Sequence, residues 1–474
     1  MPIRFRLNGM PRSVEGISPT TTVLDYLRGI ERLTGTKEGC AEGDCGACTI
    51  VVAKPGDDGA RYAAVNSCLM LVPQLAGQDV LTVEGLAARD GQLHPVQSAL
   101  VDADATQCGF CTPGFAMAMF AFSQDGGASD DDAIHEALAG NLCRCTGYRP
   151  IVEACRGLQP APAGCLPDAA DDTDLSPSKS EASYSNGSQA FHSPASLDAL
   201  AALRGQHPEA ILLGGGTDLG LRVSKEREAF PAVIWTGGVA DLKTISETGA
   251  ALEIGAAVTY SRALPQIEKH FPAFAVLIRR IGSRQIRNLG TFAGNLATAS
   301  PIGDTIPCLF ALNAEVVLRS QAGSRALPVE DFIAGYRKTA MRPDEFIERI
   351  RIPLPGGRRT FKVYKLSKRF DQDISTVVAA FGIAIENNIV REMRAVFGGM
   401  AAQAARARHV EAALAGKPWT QETLVDIDRI LAQDFAPMTD HRGSAGYRLR
   451  AAANLLRRLQ LETSSAQPAQ VWSL

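Results

Sequence analysis

The sequence predicts a multidomain α+β chain in four structured parts and a linker. Three observations carry this. At roughly 100–200 residues per domain, 474 residues suggest about three domains. Eight of the eleven cysteines fall between Cys40 and Cys145. A stretch over 159–190, rich in Ala, Pro, Asp and Ser and without periodicity, separates that front from the rest. The expected division is 1–86 (β-rich with one helix), 87–158 (helical), 159–190 (linker), 191–357 (strands alternating with helices), 358–462 (strands, then helices) and a frayed tail over 463–474.

Hydrophobic residues make up 46% and charged residues 21%, with a net charge of −3. That balance gives no electrostatic reason to expect nucleic acid or an anionic membrane as a partner. The longest apolar run, Phe115–Phe122, is far short of the ~20 residues a membrane helix needs. The first residues lack the apolar core of a secretory signal. The expected location is therefore cytoplasmic. Clustered thiols in a reducing compartment point to metal or redox chemistry rather than disulfides.

The elements follow in order. Ile3–Leu7 and Arg12–Glu15 flank Asn8-Gly9, a tight-hairpin signal. Thr22–Gly29 reads as a short helix capped by Thr21 or Thr22. Thr49–Ala53 and Val80–Val83 read as strands. Thr112-Pro113 starts a helix, with Thr as cap and Pro at the first helical position. Ser129-Asp130-Asp131-Asp132 starts another, Gly140 can stop it, and Pro150 starts a last one. Phe361–Leu366, Val377–Ile385 and Ile389–Phe397 read as strands ahead of the closing helices.

Cys40, Cys45, Cys48 and Cys68 form C-x4-C-x2-C with a fourth cysteine 20 residues on, the plant-type [2Fe–2S] ferredoxin spacing. Gly39, Gly43 and Gly46 let the backbone wrap closely around the sulfurs. A structural zinc site is the rival, but it favours paired knuckles. Cys108 and Cys111 make C-x2-C, and Cys143 and Cys145 make C-x-C. On spacing alone a four-cysteine zinc site competes here with a second [2Fe–2S] cluster. Cys155, Cys165 and Cys308 fit neither set and read as ordinary thiols.

The strings Gln107-Cys108-Gly109-Phe110-Cys111-Thr112-Pro113-Gly114 and Gly140-Asn141-Leu142-Cys143-Arg144-Cys145-Thr146-Gly147-Tyr148 resemble the helical iron–sulfur domain of the molybdenum hydroxylases, the xanthine oxidase family. That resemblance implies two [2Fe–2S] clusters, the second next to a molybdopterin, with Gln107 and Cys145 at positions that contact the pterin.

Behind the linker, Ala210–Leu213 reads as a strand running into Gly214-Gly215-Gly216-Thr217-Asp218-Leu219-Gly220. Such a turn lets backbone amides reach a pyrophosphate, although a plain turn is the bland alternative. Ser283–Asn288 leads into Thr291-Phe292-Ala293-Gly294-Asn295 and then Asp304. Here a polar loop satisfying its own backbone is the alternative. Together the two segments resemble the family's FAD domain. The resemblance implies that Leu212, Leu213, Gly214, Gly215, Gly216, Thr217, Asp218, Leu219, Thr291, Phe292, Ala293, Gly294 and Asn295 line FAD, with Asp304, Ile347 and Lys365 beside them. As a bare residue, Lys365 is as well explained by a solvated surface. Tyr336 and the charged run Lys368–Asp373, including Asp371, match positions that face NAD+.

The implied fold class is a β-grasp ferredoxin-like domain, a helical-bundle [2Fe–2S] domain, a two-subdomain α+β FAD domain of the vanillyl-alcohol-oxidase type and a C-terminal α+β domain. The whole is similar to the small, iron–sulfur and FAD-binding subunits of bacterial xanthine dehydrogenases. It implies FAD, two [2Fe–2S] clusters, NAD+ as acceptor, and a molybdopterin-binding large subunit as partner, in a heterodimer or a heterotetramer of two small and two large chains. No residue for purine hydroxylation is expected on this chain. The rivals are the same subunit of a hydroxylase for another N-heterocycle or aldehyde, a free-standing NADH:acceptor reductase, and a zinc scaffold.

Overall fold

The computed structural model describes residues 1–56, 59–88, 90–126, 130–158, 182–357 and 359–464. Ser129, Cys165, residues 159–181 of the expected linker and residues 465–474 of the expected tail lie outside them. The chain divides into two compact units. The first comprises Met1–Asp241, Thr259–Ser261 and Gly282–Gly290; the second comprises Leu242–Val258, Arg262–Ile281 and Thr291–Leu474.

In the first unit, Asn8 and Gly9 take positive φ (51° and 77°) and close a two-residue hairpin in which Leu7 faces Met10. The strand Ile3–Leu7 also runs parallel to Asp79–Leu81. That strand pairs antiparallel with Thr49–Gly56, which pairs in turn with Gly59–Asn66. The result is the mixed five-stranded sheet of a β-grasp domain. Thr22 caps Val23–Asp25 by accepting the Asp25 amide at 3.1 Å, and the chain continues as a π-helical turn over Tyr26–Ile30. Tyr26 and Phe5 pack edge to face in the core.

Four helices follow: Pro95–Asp102, Thr112–Gln124, Asp131–Leu138 and Arg149–Arg156. The second is buried from Gly114 to Ser123, because Val51 and Ala64 of the sheet cover one side and Ile134, Leu138 and Ile151 the other. Its start differs from expectation. Cys111 occupies the cap position, and the Thr112 hydroxyl is engaged with Thr106 at 2.7 Å instead of capping. Asp130 caps the next helix, accepting the Ala133 amide at 2.9 Å.

The stretch expected as linker contains a strand: Ala182–Asn186 pairs with Gln189–Ser193. Tyr184 alone carries the apolar signal there, and its hydroxyl donates to the Ile17 carbonyl at 2.7 Å and accepts the Ile17 amide at 3.0 Å. The hairpin joins Ala232–Trp235 and Ile211–Leu213 in a four-stranded sheet.

The second unit holds a two-stranded sheet, Ile333–Gly335 with Lys338–Thr339, and two larger antiparallel ones. One takes Ile245–Thr248, Ala251–Gly255, Phe346–Pro353, Glu315–Ser320 and Gly323–Pro328. The other takes Arg359–Leu366, Val377–Glu386, Ile389–Gly398 and Ala405–Arg406. Arg408–Leu414, Ile427–Asp434 and Ala445–Ser464 pack on it around Phe381, Phe397, Trp419 and Leu456. The last helix thus runs two residues into the expected tail. Among the described residues, no helix is long and apolar enough to cross a membrane.

Candidate iron–sulfur and flavin sites

The first cysteine loop gathers four thiols in two pairs. Cys48 and Cys68 lie 3.2 Å apart at the sulfurs, both buried. Cys40 and Cys45 exchange backbone donors: the Cys45 amide reaches the Cys40 sulfur and the Cys40 amide reaches the Cys45 sulfur, each at 3.3 Å. The Glu42 amide adds a third contact at 3.4 Å, and the Asn66 carboxamide reaches Cys48 at 3.7 Å. The hydrogen bond from Cys45 and then the amides of Glu42, Cys45 and Asp44 pull Cys40 down to about 5 against the pull of burial. Its partner Cys45 is pushed up, first by that shared hydrogen bond and then by burial. A ring of N–H groups aimed at sulfur fits a centre whose ligands are thiolates. Gly39 is required by proximity, since a Cβ there would sit 2.7 Å from the Cys45 sulfur.

The second loop pairs Cys108 with Cys145, sulfurs 3.5 Å apart, and Cys111 with Cys143. Cys108 and Cys145 are exposed. The Phe110 amide, then the Cys145 thiol, lower the Cys108 pKa. Burial opposes ionisation of Cys143, but the Thr146 hydroxyl at 3.1 Å and amide at 3.4 Å lower its pKa on balance. Tyr148 organises the return of the chain. Its hydroxyl accepts the Cys143 amide at 3.0 Å, and it stands at φ 69°, ψ −34° in a γ-turn closed by the Arg149 amide on the Gly147 carbonyl at 2.9 Å. Positive φ at a tyrosine is a genuine outlier. Exposed Phe110, Leu142, Tyr148 and Gln107 surround this loop. Of the thiols expected to stand apart, Cys155 and Cys308 are buried outside both quartets.

The two loops touch. The Leu142 amide donates to the Cys45 carbonyl at 2.9 Å, so a member of the first quartet and the residue before Cys143 of the second share one hydrogen bond. A Cβ on Gly46 would meet the Gly140 carbonyl at 2.3 Å, and one on Gly114 would meet the Gly46 carbonyl at 2.3 Å.

The Gly-rich turn after Ile211–Leu213 sits against the first loop. A Cβ on Gly220 would lie 2.5 Å from the carbonyl of Leu69, the residue after Cys68. Ser224 donates to the Ala41 carbonyl at 2.7 Å and Lys225 to the Cys40 carbonyl at 3.0 Å. Gly215 faces Leu289, whose carbonyl oxygen a Cβ would meet at 1.8 Å. Gly216 takes positive φ (82°). Leu213 is buried, Thr217 is half-buried and Asp218 is exposed. The segment Ser283–Asn288, read from sequence with the second flavin stretch, belongs to this unit, and its Ile286 packs against the cluster of Leu24, Cys48, Cys68 and Leu69.

In the second unit Thr291 caps Phe292–Ala297, accepting the Gly294 amide at 2.9 Å. The Asn295 Oδ1 accepts the Thr305 hydroxyl at 2.6 Å. Lys365 is buried, which overturns the solvated-surface alternative. Its Nζ pairs with Asp304 at 2.7 Å and donates to the Arg280 carbonyl at 2.9 Å. The other Asp304 oxygen accepts the Ser375 hydroxyl at 2.6 Å. Ile347 lies buried on Phe346–Pro353. Tyr336 and Asp371 are exposed. Sequence reasoning missed Asn66 and Arg280, and gave Tyr148 and Gln285 no role of their own. Each works through a partner distant in sequence or through an unusual dihedral, which no spacing announces.

Paired thiols on a β-grasp sheet and on a helical bundle, ahead of an α+β flavin-type fold, define an iron–sulfur flavoprotein. Family models match four consecutive stretches. These are a 2Fe-2S iron-sulfur cluster binding domain at 5–73 and a [2Fe-2S] binding domain at 82–156, then an FAD binding domain in molybdopterin dehydrogenase at 184–355 and a CO dehydrogenase flavoprotein C-terminal domain at 362–463. The match over 82–156 decides against zinc in the second quartet. The chain belongs to the molybdenum hydroxylase (xanthine oxidase) family, of which it carries the iron–sulfur and FAD-binding part. It is 35% identical over 498 residues to the xanthine dehydrogenase of Emericella nidulans, covering 91% of this chain and 36% of that protein. It is 30% identical over 514 residues to the xanthine dehydrogenase/oxidase of Gallus gallus, covering 91% and 38%. The chain thus spans little more than a third of the length of these curated relatives. Among solved structures, a carbon monoxide dehydrogenase chain from Hydrogenophaga pseudoflava matches with TM-score 0.54 and 28% identity, over 56% of this chain and 94% of that one. A chain of quinoline 2-oxidoreductase from Pseudomonas putida 86 matches with TM-score 0.53 and 25% identity, over 57% and 94%.

Proposed function

We propose that this chain is the electron-transfer small subunit of a xanthine dehydrogenase. It takes electrons from a molybdenum centre on a large partner chain and delivers them to NAD+ while hypoxanthine and xanthine are oxidised to urate. Bound [2Fe–2S] clusters would supply one-electron steps, and FAD the two-electron exchange with NAD+. The observation that carries the reading is the joint between the quartets: the Leu142 N–H on the Cys45 carbonyl links a set with two exposed thiols, Cys108 and Cys145, to one with two buried thiols, Cys48 and Cys68. Cys108, Cys111, Cys143 and Cys145 hold the outer cluster, and Gln107 faces the pterin of the partner. Phe110, Leu142 and Tyr148, 48%, 41% and 40% exposed, form the apolar rim on which that partner docks. Cys40, Cys45, Cys48 and Cys68 hold the inner cluster. Leu69, packed on Gly220, carries the connection to the Gly-rich turn.

Leu212–Leu219, Thr291–Asn295, Asp304, Ile347 and Lys365 are the residues assigned to FAD. The Lys365–Asp304 pair fixes a buried positive charge without leaving either group unpartnered. Exposed Tyr336 and Asp371 meet the nicotinamide. The partnership is a heterodimer or a heterotetramer of two small and two large chains.

The test is a pair of steady-state assays. The isolated chain, loaded with its cofactors, should oxidise NADH with an artificial acceptor and leave xanthine untouched. Adding the molybdopterin-bearing large chain should give xanthine-dependent NAD+ reduction. Cys108→Ser should abolish the second activity and largely spare the first. Xanthine turnover by the isolated chain, or equal loss of both activities in the variant, overturns the reading. The likeness to carbon monoxide dehydrogenase and quinoline 2-oxidoreductase chains favours, as a second reading, the same role with another substrate. Substrate profiling of the assembled enzyme separates the two.

A further inference from the structure

Gln285 is fully buried, and three segments remote in sequence meet at its side chain. Its Nε2 donates to the Asn141 Oδ1 at 2.9 Å and to the Thr49 hydroxyl at 3.2 Å. Asn141 in turn donates to the Gly46 carbonyl at 3.1 Å, and so does the Thr49 hydroxyl at 2.6 Å. Asn141 precedes Leu142 and Gly46 follows Cys45, so this network brackets the Leu142–Cys45 hydrogen bond from both sides. The remaining carboxamide atom, Oε1, has no hydrogen-bond partner among the described residues. It lies where a Cβ on Gly140 would come within 2.0 Å. A buried amide left half-satisfied is costly, and an apolar side chain of similar volume would avoid that cost.

The rest of the segment is equally committed. Ile286 packs with Cys48, Cys68 and Leu69. Arg287 pairs with Glu136 on the helical part at 2.9 Å. The Leu289 carbonyl faces Gly215. One short stretch therefore touches both cysteine loops and the Gly-rich turn.

We propose that Gln285 is a positioning residue for electron transfer between the two clusters: by holding Asn141 against Gly46 and Thr49 it fixes the Leu142–Cys45 contact and with it the separation of the quartets. This rests on the electron-transfer reading above. Gln285 touches no ligand sulfur and no reacting atom. Its effect passes through the spacing of two loops, where a small loosening is enough to slow the step.

The experiment uses the full chain with both clusters and FAD in place, as wild type and as Gln285→Met, which keeps side-chain length and removes the donors. In the fully reduced wild type, paramagnetic resonance should show the two clusters magnetically split by each other. In the variant, iron (about four per chain) and flavin should be retained. The splitting should shrink or vanish. Reduction of the second cluster after mixing with NADH should slow about tenfold or more while flavin reduction keeps its rate. Wild-type splitting and rate in the variant, even with a lowered melting temperature, would make Gln285 merely structural and overturn the proposal. If Gln285→Met fails to hold both clusters, Gly140→Ala displaces Oε1 without removing a donor and is read by the same two measurements, with the same outcomes deciding. A wild-type chain whose clusters are not split by each other, or are not reduced by NADH, removes the electron-transfer reading itself and this inference with it.

Discussion

The two thiol loops are built on one plan and stand at opposite ends of a solvent scale. In the first, Cys48 and Cys68 are 2% and 1% exposed, and the half-buried sulfurs of Cys40 and Cys45 take their hydrogen bonds from backbone amides. In the second, Cys108 and Cys145 lie open and two side-chain hydroxyls, those of Thr146 and Tyr148, do much of the organising. On the proposed electron path this difference follows from role rather than from ligand chemistry: a centre that only passes electrons inward can be sealed, whereas one that receives them from elsewhere has to keep a face for its donor.

The largest expected effect is ligand loss. Cys68→Ser should remove the first cluster, cut iron from about four to about two per chain, and lower the stability of the first unit, because Cys68 also packs with Cys48, Leu24 and Leu69. Cys145→Ser should remove the second cluster with little change in melting temperature, since the side chain is exposed. Equal destabilisation by the two variants would break the contrast. Iron assay and thermal melts decide it.

Next comes access. A chelator or mild oxidant applied to the cluster-loaded chain should bleach the second centre well before the first, following exposure of its thiols. Addition of the large partner chain should slow only that phase. Simultaneous loss of both signals in paramagnetic resonance would contradict the sealed-and-open description.

A smaller effect separates two glycines. Gly46 and Gly109 both have positive φ (69° and 80°). A Cβ on Gly46 would strike the Gly140 carbonyl, whereas one on Gly109 would meet nothing within 4 Å. Gly46→Ala should therefore combine backbone strain with overpacking, about 2–5 kcal/mol in all, and disturb both centres. Gly109→Ala should cost only the strain, about 1–2 kcal/mol, and leave the first centre unchanged. Denaturant unfolding gives the energies, and the two cluster spectra show which loop moved.

How legible all this was follows from the physics of each signal. Both quartets could be read because cluster ligands must recur at short, fixed spacings, as C-x4-C-x2-C does. The hairpin at Asn8-Gly9 could be read because two positive φ values leave few residue choices. The strand at 182–186 reads as linker because Tyr184 is the only large apolar residue there, and its partner Ile17 lies 167 residues away. Gln285 stands in a segment that reads with the flavin stretch it precedes, with nothing in the sequence to single it out. Its actual partners, Asn141 and Thr49, are 144 and 236 residues distant. Lys365 was ambiguous for the same reason: nothing near it in sequence announces Asp304, 61 residues earlier. What sequence carries well is chemistry enforced locally, and what it hides is burial decided by distant packing.

The smallest expected effect concerns Tyr148, and it tests whether the open loop is held by a strained element. A tyrosine at the centre of a γ-turn carries backbone strain of about 1–3 kcal/mol, so something must hold it there. Two side-chain contacts do: the Cys143 amide on its hydroxyl, and Phe115 meeting its ring edge to face at 6.5 Å between centroids. Tyr148→Phe keeps the ring contact and the strain but removes the hydroxyl. It should cost about 1 kcal/mol and shift the spectrum of the second centre, because the freed Cys143 amide can turn toward sulfur. Tyr148→Gly loses both contacts and also releases the strain, so its net cost should be close to that of the phenylalanine variant despite the larger deletion. The first centre should be untouched in both, since no contact of Tyr148 reaches Cys40, Cys45, Cys48 or Cys68. If glycine proves far more damaging than phenylalanine, the γ-turn is not a strained conformation held against its preference, and the ring contact is the main restraint. If the phenylalanine variant leaves the second spectrum unmoved, the hydroxyl does not organise the thiols, and the contrast between an amide-held loop and a side-chain-held loop fails at its weakest joint.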